Sequence, residues 1–247
     1  MVRPSHPGNV GSTARAIKTM GFHDLVLVAP PLTRVAFHPN AVAMASGATD
    51  VLNRLTEVPN LETALADTTL AFALTARPRD LGPPASDIRQ AAVASRQHLH
   101  SHATGQVSFV LGTESAGLNN QDISLCQRIC HIPANEQYSS LNVSQAAQLV
   151  AWELRYALAS ARQADLLPHT QGAPTSDTEP ATGAEIQGFI EHLEQALITT
   201  RFLDPDHPRK SMLRLRYLFS RCDLTKEETR MLRGICKTMI KSATGRS

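Results

Sequence analysis

The sequence predicts an α/β fold on a parallel sheet, followed by a small all-helical domain. Three observations carry this. In residues 1–162, short apolar runs alternate with segments of helical periodicity, the pattern of parallel strands joined by crossover helices. Residues 163–183 hold three prolines, two glycines and no hydrophobic period, which reads as a flexible linker. Residues 184–247 show helical patterns alone.

Taken in order, Val10, Ala14, Ile17 and Met20 recur at three or four residues and are closed by Gly21, which gives a first helix. Residues 25–29, 69–74, 107–111 and 128–132 read as buried strands. Helical patterns cover residues 41–52, 61–66, 87–100 and 143–162. Only Met1 and Val2 precede Arg3 and Pro4, so either the sheet is short at this point or the natural start lies upstream. In the tail, Ile186, Phe189, Ile190, Leu193 and Leu197 form one apolar stripe. Pro208 suits the start of a helix running through Tyr217 and Phe219. Thr225 and Glu228 have capping-box spacing ahead of Met231, Leu232, Ile235 and Met239.

Hydrophobic residues make up 42% of the 247 and charged residues 19%, which fits a folded chain with a sizeable core. No apolar run has the length of a membrane span and no secretory leader is visible. Four cysteines in a chain this long do not make a disulfide framework, and a cytoplasmic protein with free buried thiols is expected. His98 and His102 share a helical face without a nearby carboxylate or cysteine, so no metal is expected. Net charge is only +2, yet 12 of the 24 Lys and Arg residues fall in 184–247. Residues 207–221 hold five of them and no acid, which fits either a solvated helix face or phosphate contacts. Trp152 and Tyr156 are expected in the core or at a dimer contact rather than as stacking platforms.

Three segments stand at strand ends or helix starts. His6-Pro-Gly-Asn-Val-Gly precedes the first helix, with Arg15 one and a half turns inside it. Such a loop can present amides to an anion, or simply begin a helix. A strand runs into Gly112, with Glu114 and Gly117 following, at the kind of carboxyl end where α/β proteins bind ligands. Ile132 ends another strand, and Ser140 and Asn142 lie before the next helix, which either could cap.

The order P-x-N-x-G-x-x-x-R, then G-x-E-x-x-G-L, then I-P-x(6)-S-L-N-V-S resembles the three motifs of the SpoU-type RNA 2′-O-ribose methyltransferases of the SPOUT superfamily. The resemblance covers residues 2–160. Within it, Ser5 to Gly11, Ala16 to Gly21, Ile132 to Asn135 and Tyr138 to Asn142 look like the bacterial TrmJ branch, which also carries a helical tail after a linker. What the resemblance implies is a SPOUT-type sheet with a C-terminal trefoil knot, a homodimer, and S-adenosyl-L-methionine as methyl donor with no metal. It further implies 2′-O-methylation of tRNA nucleotide 32, with cytidine alone or both cytidine and uridine as the accepted nucleoside. The alternatives are another tRNA position, an rRNA, or a non-catalytic RNA-binding protein on the same scaffold.

Carried over residue by residue, the resemblance assigns the cofactor to Leu74, Thr75, Ala76, Gly112, Ile132, Ser139, Ser140 and Leu141. It assigns catalysis to Asn9, Arg15, Glu114, Ser140 and Asn142. Contacts to tRNA fall to Ser5, His6 and Arg77, and in the basic tail to Arg209, Lys210, Arg214 and Arg216. In the family's usual assignment Arg15 is the general base. A guanidinium offers donors but no acceptor and stays protonated, so a phosphate-bound Arg15 that orients and activates the hydroxyl is equally open. Membranes and DNA are not expected partners, and DNA lacks the accepting 2′-hydroxyl.

Overall fold

The structure, a computed structural model, describes residues 1–32, 34–77, 82–164, 179–205 and 210–244, without the side chains of 160–164. Helix α1 (Pro7–Thr19) leads to β1 (Val26–Val28), α2 (Pro39–Ala45), α3 (Thr49–Arg54), β2 (Thr56–Val58), α4 (Leu61–Ala64) and β3 (Leu70–Leu74). Next come β4 (Ala85–Asp87), α5 (Ile88–Ser101), β5 (Val107–Leu111), α6 (Asn120–Ser124), β6 (Arg128–His131) and α7 (Val143–Ala164). The tail holds α8 (Gly183–Thr199), α9 (Ser211–Ser220) and α10 (Lys226–Thr244).

Every strand pair is parallel. β1 pairs with β2, and the remaining strands run in the order β4-β6-β3-β5. The N-terminal residues join the two sheets. Val2 N–H donates to Leu111 O at 2.8 Å, while Val28 N–H donates to Met1 O at 2.9 Å and Arg3 N–H to Val28 O at 2.8 Å. Two residues therefore do the work of a strand between β1 and β5, and Val2 is fully buried. The sheet is short here, one of the two alternatives the sequence leaves open, yet it is continuous.

Alternation along β3 explains the layers. Leu70 and Phe72 point to one side, where they pack with Ile88, Ala91 and Val150 of α5 and α7. Ala71 and Ala73 point to the other, with Leu61, Ile123 and Cys126. α1, α2 and α3 pack with β1 and the start of α7 in a third apolar cluster. The tail has its own core of Phe189, Ile190, Ala196, Leu224 and Cys236, with the Phe189 and Phe219 rings edge to face at 4.8 Å.

The tail is fastened to the sheet domain by backbone bonds. Gly183 N–H donates to Thr68 O and Ala184 N–H to Ala66 O. Arg128 pairs with Asp223, and Glu179 accepts from both Lys226 and Thr104. Near this seam, His98 Nε2 lies 2.8 Å from Thr69 Oγ1. Burial first, then the neighbouring His102 and Arg128, holds the His98 imidazole down at about 4, against the opposing pull of Asp223.

Several expectations need correction. The pattern over 41–52 is two helices, because Ser46 takes a positive φ of 51° and Lys18 Nζ binds Gly47 O and Asp50 in the break. The proposed linker 163–183 is ordered at both edges. Residues 163 and 164 continue α7, and Ala181 N–H donates to Leu224 O beside a Pro180–Thr225 bridge. Residues 165–178 lie outside the described residues, as do Pro208 and Arg209, and α9 begins at Ser211. Trp152 and Tyr156 are not core residues, being 55% and 68% exposed. Cys222 is exposed, whereas Cys126, Cys130 and Cys236 are buried, and all four are free thiols. β2, β4 and α6 escape the sequence reading because each is five residues or shorter and carries no apolar period.

Candidate active site

The carboxyl ends of β3, β5 and β6 open into one cleft. Its lining includes Leu74, Thr75, Ala76, Gly112, Ile132, Ser139, Ser140 and Leu141, all eight residues that the motif pattern assigns to the cofactor. Glu114 and Arg77 line it too, and so do Thr113, Ser115, Ala116, Val143 and Ala146, which the sequence reading passed over. Their signal is spatial, since they only flank the motif letters. Gly112 has no alternative, because a Cβ there would come within 2.2 Å of the Gly117 carbonyl carbon. That close approach and the positive φ of Gly117, 69°, fold the loop back so that Gly117 N–H donates to Thr113 O at 2.9 Å. The cleft walls are aliphatic and its rim carries hydroxyls and backbone amides, a donor set that suits a purine nucleoside with a polar tail.

Glu114 hangs from this loop and gathers the first motif. It accepts from Ser5 N–H at 3.0 Å, Ser5 Oγ at 2.7 Å, His6 N–H at 3.3 Å and Asn9 Nδ2 at 3.0 Å. Burial pushes the Glu114 carboxyl up, but the Asn9 and Ser5 hydrogen bonds outweigh it and hold the group at about 2. A carboxylate with four donors on its two oxygens is no proton acceptor for a substrate. It positions the start of α1. The chain of contacts continues, because Asn9 Oδ1 accepts from Asn142 Nδ2 at 3.0 Å. Asn142 Oδ1 in turn caps α7 by accepting from Ser144 N–H and Oγ at 2.9 and 2.7 Å. One network thus ties all three motifs together: Ser5, Asn9, Glu114 and Asn142.

Residues 1–152 match the SpoU rRNA Methylase family model, and residues 184–247 match that of the tRNA methyltransferase TrmJ C-terminal domain. The chain belongs to the SpoU methylase family, in its TrmJ branch. It is 40% identical to the tRNA (cytidine/uridine/adenosine-2′-O-)-methyltransferase TrmJ of Pseudomonas aeruginosa, over 100% of this chain and 95% of that one. The crystal structure of TrmJ from Z. mobilis aligns with a TM-score of 0.79 at 32% identity, covering 96% of both chains. A probable methyltransferase from Bordetella pertussis is 66% identical over 64% of this chain and 93% of its own, with a TM-score of 0.61.

In this SpoU-family methyltransferase the other expected site residues fall into three groups. Arg15 and Arg77 are exposed, and their guanidinium groups have no partner among the described residues. Ser5 and His6 give their N–H groups to Glu114, so the His6 imidazole is what that pair leaves exposed to an RNA. In the tail, Lys210 and Arg214 are exposed, whereas Arg216 is half-buried. It donates to Gln187 Oε1 at 2.8 Å, with Glu194, Glu62 and Glu191 near enough to favour its charge. Arg209 lies outside the described residues. Among the described residues no group of three His, Cys, Asp or Glu has the arrangement to hold a metal ion, and no helix is long and apolar enough to cross a membrane.

Proposed function

We propose that this enzyme methylates the ribose 2′-oxygen of nucleotide 32 in the tRNA anticodon loop, accepting cytidine and uridine, with S-adenosylmethionine as donor. The observation that carries the reading is the cleft of eight motif residues whose wall residue Glu114 holds Asn9, which in turn holds Asn142. When bound, S-adenosylmethionine supplies a methyl group on a sulfonium sulfur, an electrophile strong enough to need no metal. Leu74, Ile132 and Leu141 would flank its adenine, and Thr75, Ser139 and Ser140 would meet its polar parts.

Arg15, exposed on α1 six residues beyond Asn9, binds the phosphate next to the target ribose. There its charge favours the hydroxyl oxygen as that oxygen gains negative character. Asn9 and Asn142 hold each other and so keep fixed orientations, which spares them reorganisation when a ribose arrives. Lys210 and Arg214, with Arg209, serve as phosphate contacts that hold the rest of the tRNA. Arg216 supports them from behind by fixing α9 to α8.

The acting form is a homodimer whose partner surface includes the outward face of α7. Leu149, Trp152 and Tyr156 recur there at i, i+3 and i+7 and stand exposed. The loops around the cleft form the trefoil knot of the family, and the three buried free thiols suit a cytoplasmic protein. Ribose-methylation mapping of tRNA incubated with and without the full-length protein tests the reading. A new 2′-O-methyl at nucleotide 32 is expected. Methylation only elsewhere, or none, overturns it.

A further inference from the structure

Beside the cofactor cleft lies a second concavity, one side of it formed by α2 residues that belong to no motif. It has a volume of about 460 Å³ and runs between the start of α1 and the face of α2. Its lining is His6, Gly8, Asn9, Ser12, Asn40, Ala43, Met44 and Asn142. Asn9 and Asn142 line this concavity, and Asn9 binds Glu114 of the first cleft, so the Glu114–Asn9–Asn142 contacts link the two.

The groove has the composition of a base site. Ala43 and Met44 give an apolar side, and Met44 is 51% exposed although it is large and hydrophobic. A Cβ on Gly8 would stand 3.5 Å from Met44 Cγ, so the thioether lies over the bare backbone of α1 and leaves a flat slot beside it. Polar side chains stand along its edges. The Asn40 backbone N–H is satisfied by His38 Nδ1, but its side-chain amide has no partner among the described residues, and neither has the Ser12 hydroxyl. Gly8, Ser12 and Arg15 recur at i, i+4 and i+7 on α1, so the groove floor leads straight to the free guanidinium.

We infer that this groove receives the pyrimidine base of the target nucleotide, with Met44 as its stacking face and Asn40 reading its edge. The inference deepens the proposed function and rests on it. A ribose lying over the Asn9–Asn142 pair would have the cofactor cleft on one side and this groove on the other. A phosphate at Arg15 would then continue the same nucleotide. Sequence-specific RNA binding works on bases splayed out of single-stranded loops and stacked on side chains, and a loop nucleotide is free to adopt that pose. The Asn40 amide offers a donor and an acceptor on separate sides, and cytidine and uridine exchange donor for acceptor along their pairing edges, so the two bases meet it unequally.

The test measures methyl transfer by the full-length enzyme to tRNA transcripts that carry cytidine or uridine at the target position, with calorimetry for S-adenosylmethionine. Met44→Ala is expected to raise KM for tRNA about tenfold, the usual effect of losing one stacking contact, with a smaller change in kcat. Asn40→Ala is expected to change the cytidine-to-uridine ratio of kcat/KM by about fivefold or more. Ala43→Phe, which fills the slot, should abolish transfer. All three should bind S-adenosylmethionine like the parent and melt at the same temperature, since all three positions are exposed on α2. Unchanged KM and unchanged ratio in variants of an active parent overturn the groove assignment and leave the function standing. A ratio that follows the neighbouring nucleotide instead of the target one also overturns it. An inactive parent overturns the proposed function itself, and the base assignment with it.

Discussion

The cleft at the strand ends and the seam under the tail use similar residues in opposite ways. In the cleft the carboxylate Glu114 is satisfied by uncharged donors, Ser5, His6 and Asn9, while the exposed cations Arg77 in its lining and Arg15 on α1 have no partner among the described residues. At the seam the cations are paired, Arg128 with Asp223 and Lys226 with Glu179. The difference teaches where an anion can be bound. A cation already facing a carboxylate would have to lose that partner before it met a phosphate, whereas Arg15 loses nothing. Local charge count therefore misleads. The tail is rich in Lys and Arg, yet two of them, Arg216 and Lys226, hold protein to protein.

The sharpest way to break this contrast is Arg15→Ala. Turnover on tRNA is expected to fall by about 100-fold or more, as when a group that stabilises developing charge is removed. Affinity for S-adenosylmethionine measured by calorimetry should stay within a few-fold. Normal turnover would mean that the free cation on α1 is idle. Glu114→Ala comes next. It strands several N–H donors, so activity should drop steeply while chemical denaturation shows a loss of about 2 kcal/mol at pH 7. Neutralising Lys210 and Arg214 together has a smaller effect, confined to tRNA affinity. The plot of log affinity against log salt should flatten by about one unit per lost contact. An unchanged slope would return both residues to a solvated helix face. Asp223→Ala at the seam should cost under about 1 kcal/mol and leave kcat unchanged.

Acid titration of stability separates the two regions without any mutation at the seam pairs. His98 titrates lower in the folded chain than its ordinary 6.5, at about 4, so the unfolded chain binds the extra proton in between. Its contribution is complete above pH 6.5 and is lost as pH falls towards 4. Glu114 is held at about 2 against an ordinary 4.5, so its contribution is complete above pH 4.5 and is lost as pH falls towards 2. Denaturation midpoints should thus decline in both windows, and the buried Met1 amino group, held down at about 5 against an ordinary 8.0, adds to the upper decline. His98→Gln should reduce the upper decline and Glu114→Gln the lower. A decline unchanged by its own substitution would contradict these assignments.

Much of the scaffold is legible in the sequence because apolar period survives burial. The apolar strands β1, β3, β5 and β6, the capping box at Thr225 and Glu228, and the closure of α1 by Gly21 all follow from local rules. The helix break at Ser46 is not legible, since it depends on Lys18 arriving from another helix. The cofactor cleft is foreseeable because its residues sit at strand ends and loop glycines. The role of Glu114 is not, because its donors lie more than a hundred residues away along the chain. Asn40 and Met44 are invisible to motif reading for the same reason. Nothing along the chain shows that α2 lies across the first turn of α1.

That crossing has a consequence for altering the enzyme. At Gly11, α1 touches α2 backbone to backbone, and a Cβ there would stand 2.0 Å from Ala41 O. The two helices are therefore set at a fixed gauge, like the jaws of a locked caliper. No side chain at position 11 fits without forcing them apart, so the width between them is not adjustable by small steps. The residues that face the gap, Asn40, Ala43 and Met44, can vary without moving either jaw. A library that keeps Gly11 constant and diversifies those three positions would explore nucleobase preference on a frame that stays the same.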